Sequence, residues 1–510
     1  MDIKPTPFQQ YLIIFAITLL GALPFVVNDT ILLDDILHYN DLGGWVFLWT
    51  IQIGRPMHAL SSMLFGSFAN FSPTSTVLVA LAICYFGYQL AIRFLDRPVE
   101  RIAVALLFTT SPLFIDHWQY GVNHMPLFVA FLALGFGVKL YDARASQLWG
   151  NWRPLICFLI AILTKQDFFL FSAVLIAVFT LQPVFLGEKI PMRRNLFRAM
   201  LEVVLLAVVY FILTKLLILI VQPDLPMPEE YRTDITLGFD VLAERLSRLF
   251  QFATVYLVQA QAHFPIGLKI LNGVLLFLTL LYIAQSRGLK IGLLAVALVA
   301  SILFVSLSIG LLREFDSTYR YTGLGALMLF TPVALIIALT AGRLQDQSQL
   351  WLILVGLMVF ANTIEIAKAG SKAATETKRN FGLVSQIAAE AGLHSHPERE
   401  IFIIDNCEAI DKVPNRPGWN ILVETPQVWQ TSMLEKGGLW CQSGLSKWLY
   451  TLTAPTDMDR IFTEELTIPL KSPTELSDTQ QQLIEETNGQ DQLAPGLHQL
   501  NESFFVFKLP

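Results

Sequence analysis

The sequence predicts a mainly α, polytopic membrane protein of about 11 transmembrane helices, followed by a small α/β domain outside the membrane. Three observations predict it. The 510 residues are 54% hydrophobic and only 15% charged, with 37 Phe, whereas a soluble chain is about a quarter charged. Charge is almost missing from long stretches between about residue 9 and residue 368, while 370–510 reads as ordinary soluble protein. Apolar runs recur at lengths near the roughly 20 residues that a helix needs to cross a hydrocarbon core of about 30 Å.

In chain order the expected spans are 9–28, 72–92, 102–115, 122–140, 154–164, 167–186, 199–221, 265–284, 290–312, 319–341 and 349–367. Two of them, 102–115 and 154–164, are short, as for helices that end beneath a loop dipping toward the membrane. The start, MDIKPTPFQQ and then an apolar run, lacks a small-residue cleavage site and reads as an uncleaved first span. Cys84 and Cys157 sit in apolar runs as packing residues, and no CxxC or Cys/His spacing suggests zinc. The net charge of −6 averages over loops, spans and one soluble domain and says little about partners; no nucleic-acid partner is expected.

Orientation follows from the basic residues. One set of connections holds Lys4, Arg93, Arg97, Arg101, Lys139, Arg144, Arg153, Lys189, Arg193, Arg194, Arg198, Arg287, Lys290 and Arg343. The opposite set is longer, yet holds only Arg55, Lys165, Arg232, Arg245, Arg248, Arg313 and Arg320, together with most loop acids. The N-terminus is therefore expected in the cytoplasm. The acidic loops and the 369–510 domain are expected outside, in the periplasm of a cell with two membranes. There an oxidising compartment permits a Cys407–Cys441 disulfide; two free buried thiols are the alternative.

Polar groups at membrane depth are costly and mark functional sites, and here they collect in the outer connections. The first outer loop, 29–71, carries Asp34, Asp35, His38, Asp41, Arg55 and His58. The second, SPLFIDHWQYGVNHMP, carries Asp116, His117, Tyr120, Asn123 and His124. TKQDFF supplies Lys165, Gln166 and Asp167, and LLREFDSTYRYTG supplies Arg313, Glu314, Asp316, Tyr319, Arg320 and Tyr321. The long outer loop 222–264 includes FDVLAERLSRLFQFATVYL, apolar at helical spacing, as for a helix lying flat in the interface. Each residue also has a structural reading: an N-cap for Asp or Asn, a helix-breaking corner with a snorkelling side chain for Gly-Arg-Pro, an interfacial belt for Tyr and Trp. Four outer loops combine acids with basic or amide groups close to the lipid boundary.

Such a combination suits a lipid-linked phosphate at the outer leaflet. Arginine holds phosphate with a fixed fork of donors, and a carboxylate within hydrogen-bond reach deprotonates a hydroxyl nucleophile. Transfer of a sugar from a polyprenyl phosphate to an alcohol needs both, and a single inverting displacement needs one essential carboxylate near the anomeric carbon.

The acidic pair after the first span, then GRPMHALSSMLFG and SPTSTVLVALAI, then SPLFIDHWQYGVNHMPL and KQDFFLF, resemble the Gtr-type O-antigen glucosyltransferases. These are serotype-converting membrane enzymes with a GT-C-like fold. The resemblance covers about residues 10–190 and, loosely, the arginine near 320. It implies a glucosyltransferase of the inner membrane that moves a hexose, glucose in the first instance, from a polyprenyl-phosphate donor to lipopolysaccharide O-antigen or another cell-surface glycan. It also implies that Asp34 or Asp35 is the base, that Arg55 occupies the Gly-Arg-Pro position and that Asp116 stands where the family has Glu. The chain departs from the family at Asp116 and at Ile36-Leu37-His38 after the acidic pair. With Asp34, Asp35 and Asp116 as catalytic candidates, the substrate-binding candidates are His38, Arg55, His58, Tyr120, Asn123, His124, Lys165, Gln166, Asp167, Arg313, Arg320 and Tyr321. A divalent cation among the three aspartates is an open reading that no spacing demands.

The rival reading is a transporter or flippase of a lipid-linked sugar, which would place ionisable groups near the midplane and show repeats between halves; no internal repeat is found. A structural assembly or polymerase subunit is a third. In the C-terminal domain a strand is expected at Ile401–Ile404 and another at SFFVFKL near the end. Trp419, Trp429 and Trp440 read either as sugar-stacking platforms or as core residues.

Overall fold

The structure, a computed structural model, describes residues 5–28, 50–51, 54–70, 73–115, 118, 121–143, 148–188, 191–221, 266–312, 328–341, 348–392, 395, 400–404, 470–471, 479, 482, 496–500 and 504–508. The described residues through Ser371 belong to one compact unit and those from Lys372 onward to a second.

The first unit is built of helices: α1 Pro7–Val27, α2 Pro56–Asn70, α3 Pro73–Phe94, α4 Pro98–Thr109, α5 His124–Leu140, α6 Trp152–Thr164, α7 Phe168–Phe185, α8 Met192–Val221, α9 Ile266–Arg287, α10 Leu289–Leu312, α11 Met328–Ala341 and the start of α12 Ser348–Glu390. Prolines begin several of them, at the first-turn position where the missing N–H is no loss. α1 opens with a full capping box: the Gln9 N–H bonds to the Thr6 hydroxyl, and the Gln9 side chain accepts from the Thr6 N–H.

The core lies among α3, α4, α5 and α7. Phe86, Phe108, Phe131 and Phe171 are fully buried. The Phe86 ring lies 5.0 Å from Phe108, 5.9 Å from Phe131 and 5.3 Å from Phe171, in the tilted geometry that aromatic quadrupoles favour. α5 approaches closely because Gly135 and Gly137 leave room. A Cβ at either would lie 2.5 Å from Tyr85 or Phe158. Polar contacts add to the packing: Thr18 and Thr109 hydroxyls meet at 2.7 Å between α1 and α4, and the Tyr11 hydroxyl donates to the Leu81 carbonyl at 2.8 Å.

The outward faces carry large apolar residues. Examples are Leu20 and Leu23 on α1, Phe211 and Ile220 on α8, Phe277 on α9, and Ile353, Leu357, Phe360 and Ile364 on α12. The last four recur at one helical face, opposite buried Val355, Val359 and Ile366. Among the described residues, six helices are long and apolar enough to cross a membrane. An apolar exterior on that scale is what lipid requires, so the chain is a mainly helical, multi-pass membrane protein.

Each of the eleven apolar segments read from the sequence contains a helix, and the two short ones are helices of 12 and 13 residues. Two features differ from expectation. Residues 56–70, read as part of a loop, form α2. α12 does not stop near 367; it runs 43 residues, roughly 65 Å at 1.5 Å per residue, about twice the hydrocarbon thickness.

In the second unit, β1 Glu400–Ile404 pairs in parallel with β2 Leu470–Lys471 and with β4 Phe504–Lys508, and β3 Gly496–Gln499 runs antiparallel to β4, giving the order β2-β1-β4-β3. Ile401 lies opposite Phe505 and Ile403 opposite Phe507.

Candidate functional site

Three of the corners singled out in the sequence meet at one end of the first unit. The Gly-Arg-Pro corner begins with Gly54 at φ 82°, a left-handed conformation that suits glycine. The Gly54 N–H donates to the Ile51 carbonyl and the Arg55 N–H to the Thr50 carbonyl, both at 2.9 Å, which is the bonding of a Schellman helix stop. The Arg55 carbonyl then accepts from the His58 and Ala59 N–H groups at 3.0 and 3.2 Å, so Pro56 starts α2. One helix ends and another begins within three residues, and Arg55 sits at the vertex. His58 is buried beside it on α2.

The second corner is Lys165-Gln166-Asp167, between α6 and α7. The Lys165 N–H closes α6 on the Ala161 carbonyl at 3.1 Å, and the Lys165 and Gln166 carbonyls accept from Phe168 and Phe169 at the start of α7. Lys165 is only 5% exposed. Its Nζ lies 3.4 Å from Asp167 Oδ2. Asp167 stands at the N-cap position of α7, but its side chain makes no capping bond; its carboxylate is turned to Lys165 instead. The N-cap reading therefore does not account for this residue.

Tyr210 of α8 joins the two corners. Its hydroxyl donates to the Gly54 carbonyl at 3.0 Å and accepts from Gln166 Nε2 at 3.0 Å. A Cβ at residue 54 would lie 2.4 Å from the Tyr210 hydroxyl, 2.9 Å from Gln166 Nε2 and 3.4 Å from Thr214 Cγ2. The Thr214 hydroxyl, buried alongside, has no hydrogen-bond partner among the described residues.

The third corner is Gly121-Val122-Asn123-His124 at the start of α5. α2 packs on this turn, on α5 and on α6. His124 is 4% exposed. Its Nδ1 lies 2.9 Å from the Ser75 hydroxyl at the start of α3, and its Nε2 lies 3.3 Å from the Trp118 carbonyl. A carbonyl only accepts, so Nε2 carries a proton toward Trp118, while Nδ1 bonds to the Ser75 hydroxyl. The ring fastens the start of α3 to that of α5. Asn123, buried, makes no side-chain capping bond either.

Of the sequence-predicted residues, Arg55, His58, Asn123, His124, Lys165, Gln166 and Asp167 are thus placed at these corners. Asp34, Asp35, His38, Asp116, Tyr120, Arg313, Arg320, Tyr321, Cys407 and Cys441 lie outside the described residues, as do Trp419, Trp429 and Trp440. Among the described residues no cluster of three His, Cys, Asp or Glu is spaced to hold a metal ion. Sequence reasoning missed Tyr210 and Thr214. The signal was present: two hydroxyl residues four apart share one helix face inside an apolar run.

A second buried polar cluster lies toward the end that carries the basic connections. Glu202 of α8 is fully buried. It accepts from the Tyr141 hydroxyl at 2.5 Å and from Asn151 Nδ2 at 2.9 Å, and Arg198 Nε lies 3.5 Å away. Arg198 also donates to the Ala143 carbonyl at 2.9 Å, and Asn151 exchanges bonds with the Asp142 backbone at 2.9 and 3.1 Å. Burial, and then the neighbouring Glu202 carboxylate, push the Tyr141 hydroxyl well above the ordinary tyrosine range. This cluster ties the connection after α5 to α8. No protein-family model, curated protein or solved structure matches the chain.

Proposed function

We propose that the protein is an integral membrane glycosyltransferase that moves a hexose, glucose in the first instance, from a polyprenyl-phosphate donor to lipopolysaccharide O-antigen or another surface glycan. In this reading the chain crosses the inner membrane eleven times with its N-terminus in the cytoplasm, and 369–510 is a periplasmic α/β domain. The acceptor hydroxyl loses its proton to Asp34 or Asp35, its oxygen bonds to the anomeric carbon, and the bond from that carbon to the phosphate oxygen breaks. The phosphate's negative charge is met by Arg55, with Arg313 or Arg320, and Lys165 adds a cation to the same end. Asp116 assists at the acceptor, and a divalent cation among the aspartates is compatible with the chemistry.

The observation that carries the reading is the convergence of the Gly-Arg-Pro and Lys-Gln-Asp corners through Tyr210, which concentrates Arg55, Lys165 and Asp167 at one end of a membrane unit. The resemblance to Gtr-type glucosyltransferases supports the same chemistry. The test is transfer of radiolabelled glucose from undecaprenyl phosphate to host glycolipid by purified protein. Asp34→Asn and Asp35→Asn should leave folding intact, and one of them should reduce transfer by about 100-fold or more, the scale of a lost general base. Full transfer in the doubly substituted protein would remove both aspartates from the mechanism.

A further inference from the structure

α8 is the least buried of the six long apolar helices: only 11% of its spanning stretch lies inside the unit. Its outward residues Phe197, Met200, Val204, Val208, Phe211 and Leu219 recur three or four apart on one line, each between 47% and 64% exposed. From Phe197 to Leu219 the line is about 33 Å long at 1.5 Å per residue, close to the thickness of a hydrocarbon core. Lipid accounts for those apolar residues, but not for Lys215. It falls on the same line, one turn after Phe211 and one before Leu219, and it is exposed. In the sequence it is the only charged residue between Glu202 and Asp224.

A cation facing hydrocarbon is costly. Lysines near helix ends lower the cost by reaching out to the interface. Lys215 stands six residues before α8 ends at Val221, about 9 Å inside that end. Side chains on a helix lean toward its N-terminus, and Lys215 follows that rule. Its Nζ lies 5.8 Å from the centre of the Phe211 ring, one turn further in. The ring face attracts the ammonium but gives its three N–H donors no oxygen acceptor. Among the described residues no ion pair reaches Lys215. Lipid phosphates lie in the headgroup layer, outside the hydrocarbon core, whereas this side chain is turned inward.

We infer that this line of α8 is a docking surface for a membrane-spanning helix of another protein, one that carries a single carboxylate at the depth of Lys215. The apolar ridges of the two helices interdigitate. The carboxylate accepts from Lys215 Nζ, the kind of polar contact that joins helices in lipid. A second copy of this chain does not fit. Pairing α8 with α8 would set Lys215 against Lys215, and the carboxylates of the described spans are mostly buried and paired: Glu100 with Arg97, Glu202 with Arg198 and Glu365 with Lys368. The inference does not depend on the transfer reaction.

The test measures association of the full-length protein, in lipid vesicles, with synthetic spanning helices, by energy transfer between dyes on the two. The helices are leucine-alanine sequences that carry Glu at the position matching Lys215, Leu at that position, or Glu near the opposite end. The matched Glu helix should associate about tenfold more tightly than the other two, the scale of one charge-assisted hydrogen bond. Lys215→Leu, on the lipid-facing side, should leave unfolding unchanged and bring the matched Glu helix to the level of the Leu helix. Lys215→Glu should prefer a helix with Lys at the matched position. Equal association of the matched Glu and Leu helices with the unaltered protein would overturn the proposal, as would an unchanged preference in folded Lys215→Leu. Loss of the Glu preference when undecaprenyl phosphate is added in equimolar amount would assign Lys215 to a lipid phosphate and overturn it equally.

Discussion

Substituting Gly54 probes the joint between the two corners. An alanine methyl would have to sit 2.4 Å from the Tyr210 hydroxyl and 2.9 Å from Gln166 Nε2, on a backbone at φ 82°. The left-handed conformation alone costs about 1–2 kcal/mol for a residue with a Cβ. Tyr210 must move, and with it go its bond to the Gly54 carbonyl and its bond from Gln166, each worth about 0.5–1.5 kcal/mol net. Gly54→Ala should therefore destabilise the folded protein by about 2–5 kcal/mol. Tyr210→Phe removes the same two bonds and should cost about 1–3 kcal/mol. In the double variant the clash with the hydroxyl is gone and the bonds are lost only once. Its cost should then fall short of the sum of the single costs by about 1–3 kcal/mol. Denaturant unfolding in mixed micelles measures all four corners of this cycle, and the initial transfer rate gives a second readout. Costs that simply add would mean that Tyr210 does not join these corners.

Other outcomes follow from neighbouring contacts. Glu202→Gln removes the buried carboxylate that faces Arg198 and accepts from Tyr141 and Asn151, and should cost about 3–5 kcal/mol in the same unfolding measurement, with little change in the donor KM. Because the Tyr141 hydroxyl titrates above its unfolded value, its contribution to stability is full below about pH 10 and is lost as pH rises further, through the folded-state value. Wild type should thus lose more stability between pH 9 and pH 11 than Tyr141→Phe does. Ser75→Ala removes the hydroxyl bonded to His124 Nδ1 and should lower stability by about 1–3 kcal/mol; a neutral effect would argue that Ser75 does not hold the ring. Lys165→Gln should raise the KM for the polyprenyl-phosphate donor more than it lowers kcat if the lysine meets ground-state phosphate, and an unchanged KM would count against that role.

The helices were legible because lipid imposes one demand, about 20 apolar residues per crossing, and the runs answer it wherever they fall. Even the short helices α4 and α6 were visible, since Ser111-Pro112 and Lys165-Gln166-Asp167 interrupt the runs. α2 was missed because its residues, PMHALSSMLFGSFAN, mix small hydroxyl residues with apolar ones and fall short of a spanning pattern. Its helicity comes from the Pro56 start and from packing on α5 and α6. The far end of α12 was missed because a polar stretch such as SKAATETKRN signals the end of a span but not the end of a helix: Ala, Lys and Glu are good helix formers and continue it. The outer corners were recognised from their charges, but the partner that joins them was not. Tyr210 is one aromatic residue among many in an apolar run, and only the fold brings it to Gly54. Glu202 carried a clearer signal, an acid within a span, which by itself marks a buried network.

The most direct measurement uses sealed vesicles carrying the purified protein, undecaprenyl phosphate linked to radiolabelled glucose, and glycolipid acceptor from the host membrane. The account predicts label covalently attached to the glycolipid, with free undecaprenyl phosphate released in equal amount and the product lost in one of Asp34→Asn or Asp35→Asn. Labelled lipid that crosses the bilayer with its sugar bond intact, with no glycolipid product, would contradict it and make the protein a transporter of its donor.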